Sequence, residues 1–133
     1  MVYVMKKFIL LILSLACIVA LSACGRKARP IVLPEASDIT SIDITVGNDC
    51  VNYTDGIQIS EIISGLSGSE PTNRESIQDT PHVQNYMKID FQFETGTSTL
   101  FVYEENAKYY VEQPYQGIYE IDSRLYEQLR KIK

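Results

Sequence analysis

The stretch YMKIDFQFETGTSTLFVYEENAKYYVEQ, Tyr86 to Gln113, decides the fold. Met87, Ile89, Phe91 and Phe93 alternate with Lys88, Asp90, Gln92 and Glu94, the period-2 pattern of a strand with one face buried and one wet. TSTLFVYEE follows after Gly96 and KYYVEQ after Asn106-Ala107, so three antiparallel strands joined by tight turns are expected. In the second turn Ala107 stands where a Gly would ease positive φ, which weakens the hairpin signal without removing it.

Turn parity carries the reading across the strands. If Met87, Ile89, Phe91 and Phe93 face a core, their partners are Leu100, Val102, Tyr109 and Val111. The far face then shows Lys88, Asp90, Phe101, Tyr103, Tyr110 and Glu112, and a turn centred on Asn106-Ala107 sets Tyr103 opposite Tyr110. With Tyr115 and Tyr119 close in sequence, Phe101, Tyr103, Tyr110, Tyr115 and Tyr119 form a candidate binding surface for a protein, peptide or glycan, since Tyr offers contact area at low entropy cost. The alternative is that EQPYQGIY or EPTNRESIQDTPH folds over this face and makes the tyrosines ordinary packing.

Outward from this meander the chain supplies more strands and two helices. DITSIDITVG puts Ile42, Ile44 and Val46 on one side of a strand, and GND turns it into CVNYT, a first hairpin. In DGIQISEIISGLSG the period changes, with Ile59, Ile62, Ile63 and Leu66 at i, i+3, i+4 and i+7 on one helix face. Asp55 is its N-cap, with Gln58 three residues on, and Gly68 its stop. SEPTNRESIQDTPHVQN, with two prolines and no period, reads as a long loop, and PYQGIYEID as a loop with room for one more short strand. Asp122 caps a closing helix carrying Leu125, Tyr126, Leu129 and Ile132, with Arg130, Lys131 and Lys133 at the end where cations suit the helix dipole. The order ββα-loop-βββα predicts an α+β domain: an antiparallel sheet of about five strands with two helices on one face, spanning residues 38–133.

The first 37 residues read differently. Lys6-Lys7 and the apolar run Phe8 to Leu21 form a secretory signal peptide, too short for a comfortable span. Met1 to Val4 add nothing to it, and Met5 is an alternative start. The run closes in Leu21-Ser22-Ala23-Cys24, which resembles the lipobox of bacterial lipoproteins. That resemblance implies cleavage after residue 23, a diacylglyceryl group on Cys24 and a lipid-anchored protein on the outer face of the cell membrane, since two acyl chains hold where one does not. Residues 24–37, with two prolines and Arg26, Lys27 and Arg29, read as a flexible tether.

Cleavage removes Lys6 and Lys7, leaving 10 basic residues against all 17 acidic ones, a net charge of −7 that argues against nucleic acid as a partner. Cys50 is the only thiol left in the folded part, so no internal disulfide forms; with no basic neighbour to activate it, it is expected to be packed. His82 is the only histidine and lacks neighbouring Cys or a close carboxylate pair, so no metal and no cofactor is expected. The chain carries no Gly-rich phosphate loop, no G-x-S-x-G and no H-E-x-x-H. Asp90 and Glu112 on the far face are the one carboxylate pair for acid/base work, and solvated surface charge is the plainer reading.

TNRESIQDTPHVQNYMKIDF and GTSTLFVYEENAKYYVEQPYQGIYEID resemble DUF5301, an uncharacterised domain of clostridial and related Firmicutes lipoproteins. The resemblance runs from about Ile31 to Lys131, and EQPYQGIYEID is its most specific string. Similar segments occur beside an M56 peptidase membrane region that this sequence does not contain, so the resemblance implies neither peptidase nor antirepressor activity, and it brings no site residues. The expectation is a non-enzymatic, lipid-anchored extracytoplasmic binding or sensor-type module using the tyrosine-bearing face or the Pro81-containing loop. The alternatives are an immunity-type lipoprotein that sequesters a cationic antimicrobial peptide and a hydrolase acting through Asp90 and Glu112.

Overall fold

The computed structural model describes residues 2–7 and 29–131. Within residues 29–131 the chain is an α+β fold: one open seven-stranded antiparallel sheet with three helices, one of them a single 3-10 turn at Ala36–Asp38. The strands are β1 (Ser41–Val46), β2 (Asp49–Tyr53), β3 (Glu70–Pro71), β4 (Met87–Phe93), β5 (Gly96–Glu105), β6 (Lys108–Gln113) and β7 (Gly117–Ile121), in the spatial order β2-β1-β4-β5-β6-β7-β3. Helix α1 is Gly56–Ser67 and α2 is Ser123–Arg130.

The β4–β5–β6 register is the one parity predicts. Ile89 faces Leu100, Met87 faces Val102, Val102 faces Val111 and Tyr103 faces Tyr110. Asn106 and Ala107 take φ of +52° and +61°, the left-handed pair of a type I′ turn, because that turn's twist matches the strands it joins. One sheet face carries Ile42, Ile44, Ile89, Phe91, Leu100, Val102, Val111 and Ile121, all buried against Ile59, Ile62 and Leu66 of α1 and Leu129 of α2. Truncating a fully buried ring such as Phe91 costs about 3–5 kcal/mol. Asp55 accepts from the Gln58 amide at 3.1 Å and Asp122 from the Leu125 amide at 2.8 Å, so both caps form as the sequence indicates. The helices meet at Gly65, where a Cβ would lie 2.7 Å from Leu125 Cδ1.

Three expectations are corrected. The sheet has seven strands rather than about five, because GIYEI pairs fully with β6, and Glu70–Pro71 inside the expected loop pairs with β7 as a two-residue edge. A proline suits that outermost strand, where no partner needs its missing N–H. The segment taken as tether is packed from Ile31 onward. Ile31, Leu33 and Ala36 lie against the core, and the buried Gln113 side chain clamps Val32, accepting from its amide at 3.3 Å and donating to its carbonyl at 2.7 Å. Cys50, expected to be packed, is exposed on β2, the other edge strand. No helix among the described residues is long and apolar enough to cross a membrane.

Candidate functional site

Strand pairing brings Phe101, Tyr103 and Tyr110 to the face away from the helices, as parity requires, but they are not open to solvent. Thr72 to Tyr86 crosses over them, and they are 4 %, 2 % and 9 % exposed. Tyr119 is paired with Val111 and so lies on the opposite, helix-bearing side, also buried. Tyr115 alone is exposed, in the β6–β7 turn with φ of +61°. The five residues therefore form no common exposed surface: the polar segment supplies its own side chains as their cover. Cys24 lies outside the described residues.

The cover is held by specific contacts. Thr72 donates through its amide and hydroxyl to the Ile118 carbonyl, and the Ile118 amide donates to the Arg74 carbonyl. The Arg74 guanidinium sits 5.1 Å from the centroid of the Tyr110 ring and bonds Glu105 at 2.6 Å, a cation–π contact and an ion pair from one side chain. Tyr86 meets Phe101 edge to face at 5.1 Å. Beneath the segment Glu112 is 3 % exposed and accepts from Ser76 Oγ at 2.7 Å and from Tyr103 Oη at 3.1 Å. Burial, followed by the Glu112 charge and the hydrogen bond to it, pushes the Tyr103 hydroxyl well above its ordinary value, so it stays a donor through the physiological range.

Asp90 and Glu112 do not share a site. β5 separates their strands, a distance of about 10 Å at ordinary strand spacing. Asp90 is engaged by Lys88 at 2.8 Å and by Thr99 at 2.5 Å. It belongs to a polar ladder on the uncovered half of this face, in which Asn52 and Gln92 donate to Asp43 at 2.6 and 3.0 Å and Thr97 donates to Gln92 at 2.7 Å. Asp43 and Asp90 stand directly opposite each other, and these donors offset the like-charge pairing. His82 is exposed, and no group of three or more metal-ligating side chains occurs among the described residues.

A concavity lies at the end of the sheet that carries the β1–β2 and β5–β6 turns. It is a cleft of about 840 Å³ lined by Thr45 to Gly47, Gln84 to Lys88, Glu104 and Asn106, with Tyr126 and Arg130 from α2. Its volume suits a drug-sized or short oligomeric ligand. Three side-chain amides (Gln84, Asn85 and Asn106), two cations and one carboxylate supply polar groups, and Tyr86 and Tyr126 supply aromatic walls. Tyr126 is fixed by stacking on Tyr109 at 4.4 Å. Sequence reading reaches only the Gln84 to Tyr86 part, as the end of the Pro81-containing loop. The rest comes from elements far apart in sequence, and neither Asn106 nor Arg130 carries a local signal beyond its turn or helix end.

An open antiparallel sheet with both α-helices on one face, a covered aromatic far side and a polar end cleft defines a small α+β domain. The chain belongs to the DUF5301 family, described as "Domain of unknown function (DUF5300)", which matches residues 27–120. It is similar to a protein from Ruminococcus gnavus with an NMR structure, at 37% identity and a TM-score of 0.64, covering 71% of this chain and 97% of that one. No curated protein matches.

Proposed function

We propose that this protein is a lipid-anchored extracytoplasmic binding or sensor-type module, held by a diacylglyceryl group on Cys24, whose ligand site is the end cleft. The carrying observation is the convergence of Gln84, Asn85 and Asn106 with Lys88 and Arg130 around one 840 Å³ space. Among the described residues Arg130 has no ion-pair partner, and Lys88 is paired with Asp90. Such a lining suits a hydrogen-bond-rich peptide or glycan bearing a carboxylate, because amides read polar edges while the guanidinium forms charge-assisted bonds. The N-terminal signal and Leu21-Ser22-Ala23-Cys24 support the anchoring half of the reading.

The test is a titration of the ¹⁵N-labelled chain from Arg29 onward with carboxylate-bearing muropeptides. Saturable amide shifts at Gly47, Asn85, Asn106 and Arg130, abolished in Arg130→Glu, are expected. Shifts confined to other residues, or unchanged in Arg130→Glu, would overturn the cleft as the site. The immunity-type reading rests on the acidic net charge. It requires salt-dependent binding of a cationic peptide, and equal affinity at 50 and 500 mM salt would remove it.

A further inference from the structure

We infer that the end of the sheet carrying the β4–β5 and β6–β7 turns faces the lipid bilayer, so that the cleft opens away from the membrane. The inference rests on the Cys24 anchor proposed above and adds an orientation to it.

The first argument is reach. The Gln113 clamp on Val32 makes Ile31 the start of the packed chain, leaving residues 25–30 between it and Cys24. Fully extended, that leash spans about 25 Å, less than the roughly 30 Å length of a ten-residue strand such as β5. The domain therefore stays within about its own diameter of the bilayer.

The second argument decides which end turns inward. Among residues 29–131 the exposed large apolar or aromatic side chains are Val32, Ile57, Ile77 and Tyr115. Val32 is held by Gln113, which opens the β6–β7 turn, and Tyr115 lies in that turn. Ile77 lines a cleft with Tyr115 on the covered face, and Ile57, at the start of α1 on the helix-bearing face, follows closely on the end of β2 that pairs beside Ile42, at the same end of the sheet. The cleft with Gly47 and Asn106 is at the opposite end. Tyr with aliphatic neighbours suits the boundary between headgroups and acyl chains. Asp38, Asp55, Glu75, Asp79 and Glu94 share this end, so an anionic bilayer repels it; Arg26, Lys27 and Arg29 of the leash offset part of that charge. The contact is one that the anchor enforces.

The test uses the full chain made in a Gram-positive host, carrying Cys50→Ser and either Ile77→Cys or Asn48→Cys labelled with an environment-sensitive fluorophore, in vesicles of phosphatidylglycerol and phosphatidylcholine. Mass spectrometry of the N-terminal peptide reports acylation of Cys24 independently. Nitroxide on the lipid headgroups should quench the label at position 77 at least threefold more than the label at 48. Ile57→Asp/Tyr115→Asp, both at exposed positions, should reduce that difference at least twofold. Equal or reversed quenching on an acylated, vesicle-bound chain overturns the orientation and leaves the anchor standing, as does a difference that the double variant leaves unchanged. An unacylated chain that does not float with vesicles overturns both.

Discussion

Ser76 donates its hydroxyl to Glu112 Oε1 at 2.7 Å across 36 positions of sequence, joining the covering segment to the middle of the sheet. The contact lies beneath a surface that strand parity alone leaves open. Ser76→Ala leaves a buried carboxylate with only the Tyr103 hydroxyl, and should cost about 1–3 kcal/mol in urea unfolding. The Ile118 amide, which donates to the Arg74 carbonyl, should then exchange with deuterium faster than in the wild type by a larger factor than the core amide of Ile89. Uniform acceleration of both would mean that Ser76 does not secure the segment locally.

Tyr103 gives the fold an alkaline limit. Its folded-state pKa is raised, mainly by burial, above an unfolded value of about 10. The folded state therefore holds more protons than the unfolded chain above that pH, and stability present below about pH 10 is lost as pH rises further. Unfolding free energy should fall between pH 10 and 11.5, and less steeply in Tyr103→Phe. Tyr53, Tyr119 and Tyr126, also raised by burial, and Tyr115, raised by its hydrogen bond to Asp79, contribute to the slope that remains.

Ala107 holds a left-handed conformation that a Cβ disfavours. Ala107→Gly should stabilise by about 0.5–1 kcal/mol, raising Tm by about 3–6 °C in calorimetry, because the relief of strain exceeds the added unfolded-state entropy. An unchanged or lower Tm would show that the turn does not store that strain.

Gly65 and Leu125 are coupled. A Cβ at Gly65 meets the end of a flexible, half-buried side chain, so Gly65→Ala should be within about 1 kcal/mol of neutral, helix propensity offsetting the displacement of Leu125. In a Leu125→Ala background the same change should stabilise by about 1 kcal/mol, and a double-mutant cycle reads the difference as the contact. Gly65→Val, branched at the Cβ, should destabilise in the wild-type background.

Much of the fold was legible because it is written in local periods. Alternation at Met87 to Phe93 named a strand, the two-residue spacing at Asn106-Ala107 fixed its neighbours' register, and Asp55 and Asp122 marked both helix starts. β7 was only half legible, since GIYEI is short and shares its window with turn residues. β3 was not legible, since Glu70–Pro71 has no strand propensity and pairs only because β7 offers an edge. Cys50 is exposed where packing is expected for a related reason: nothing local distinguishes an edge strand from a central one.

By itself, then, the sequence determined the α+β class, the β4–β5–β6 register, both helix caps and the sheet face that meets the helices, because each follows from side-chain direction along a strand or helix. Only the tertiary structure decided what covers the opposite face. Arg74, Ser76 and Tyr86 sit in a polar segment without a period, and they reach Tyr110, Glu112 and Phe101 only once the strands have assembled. The same holds for the cleft, whose walls come from two hairpin turns, one loop end and the last turn of α2. Pairings separated by dozens of residues cost loop-closure entropy and carry no local signature, so they form where the assembled sheet presents a partner.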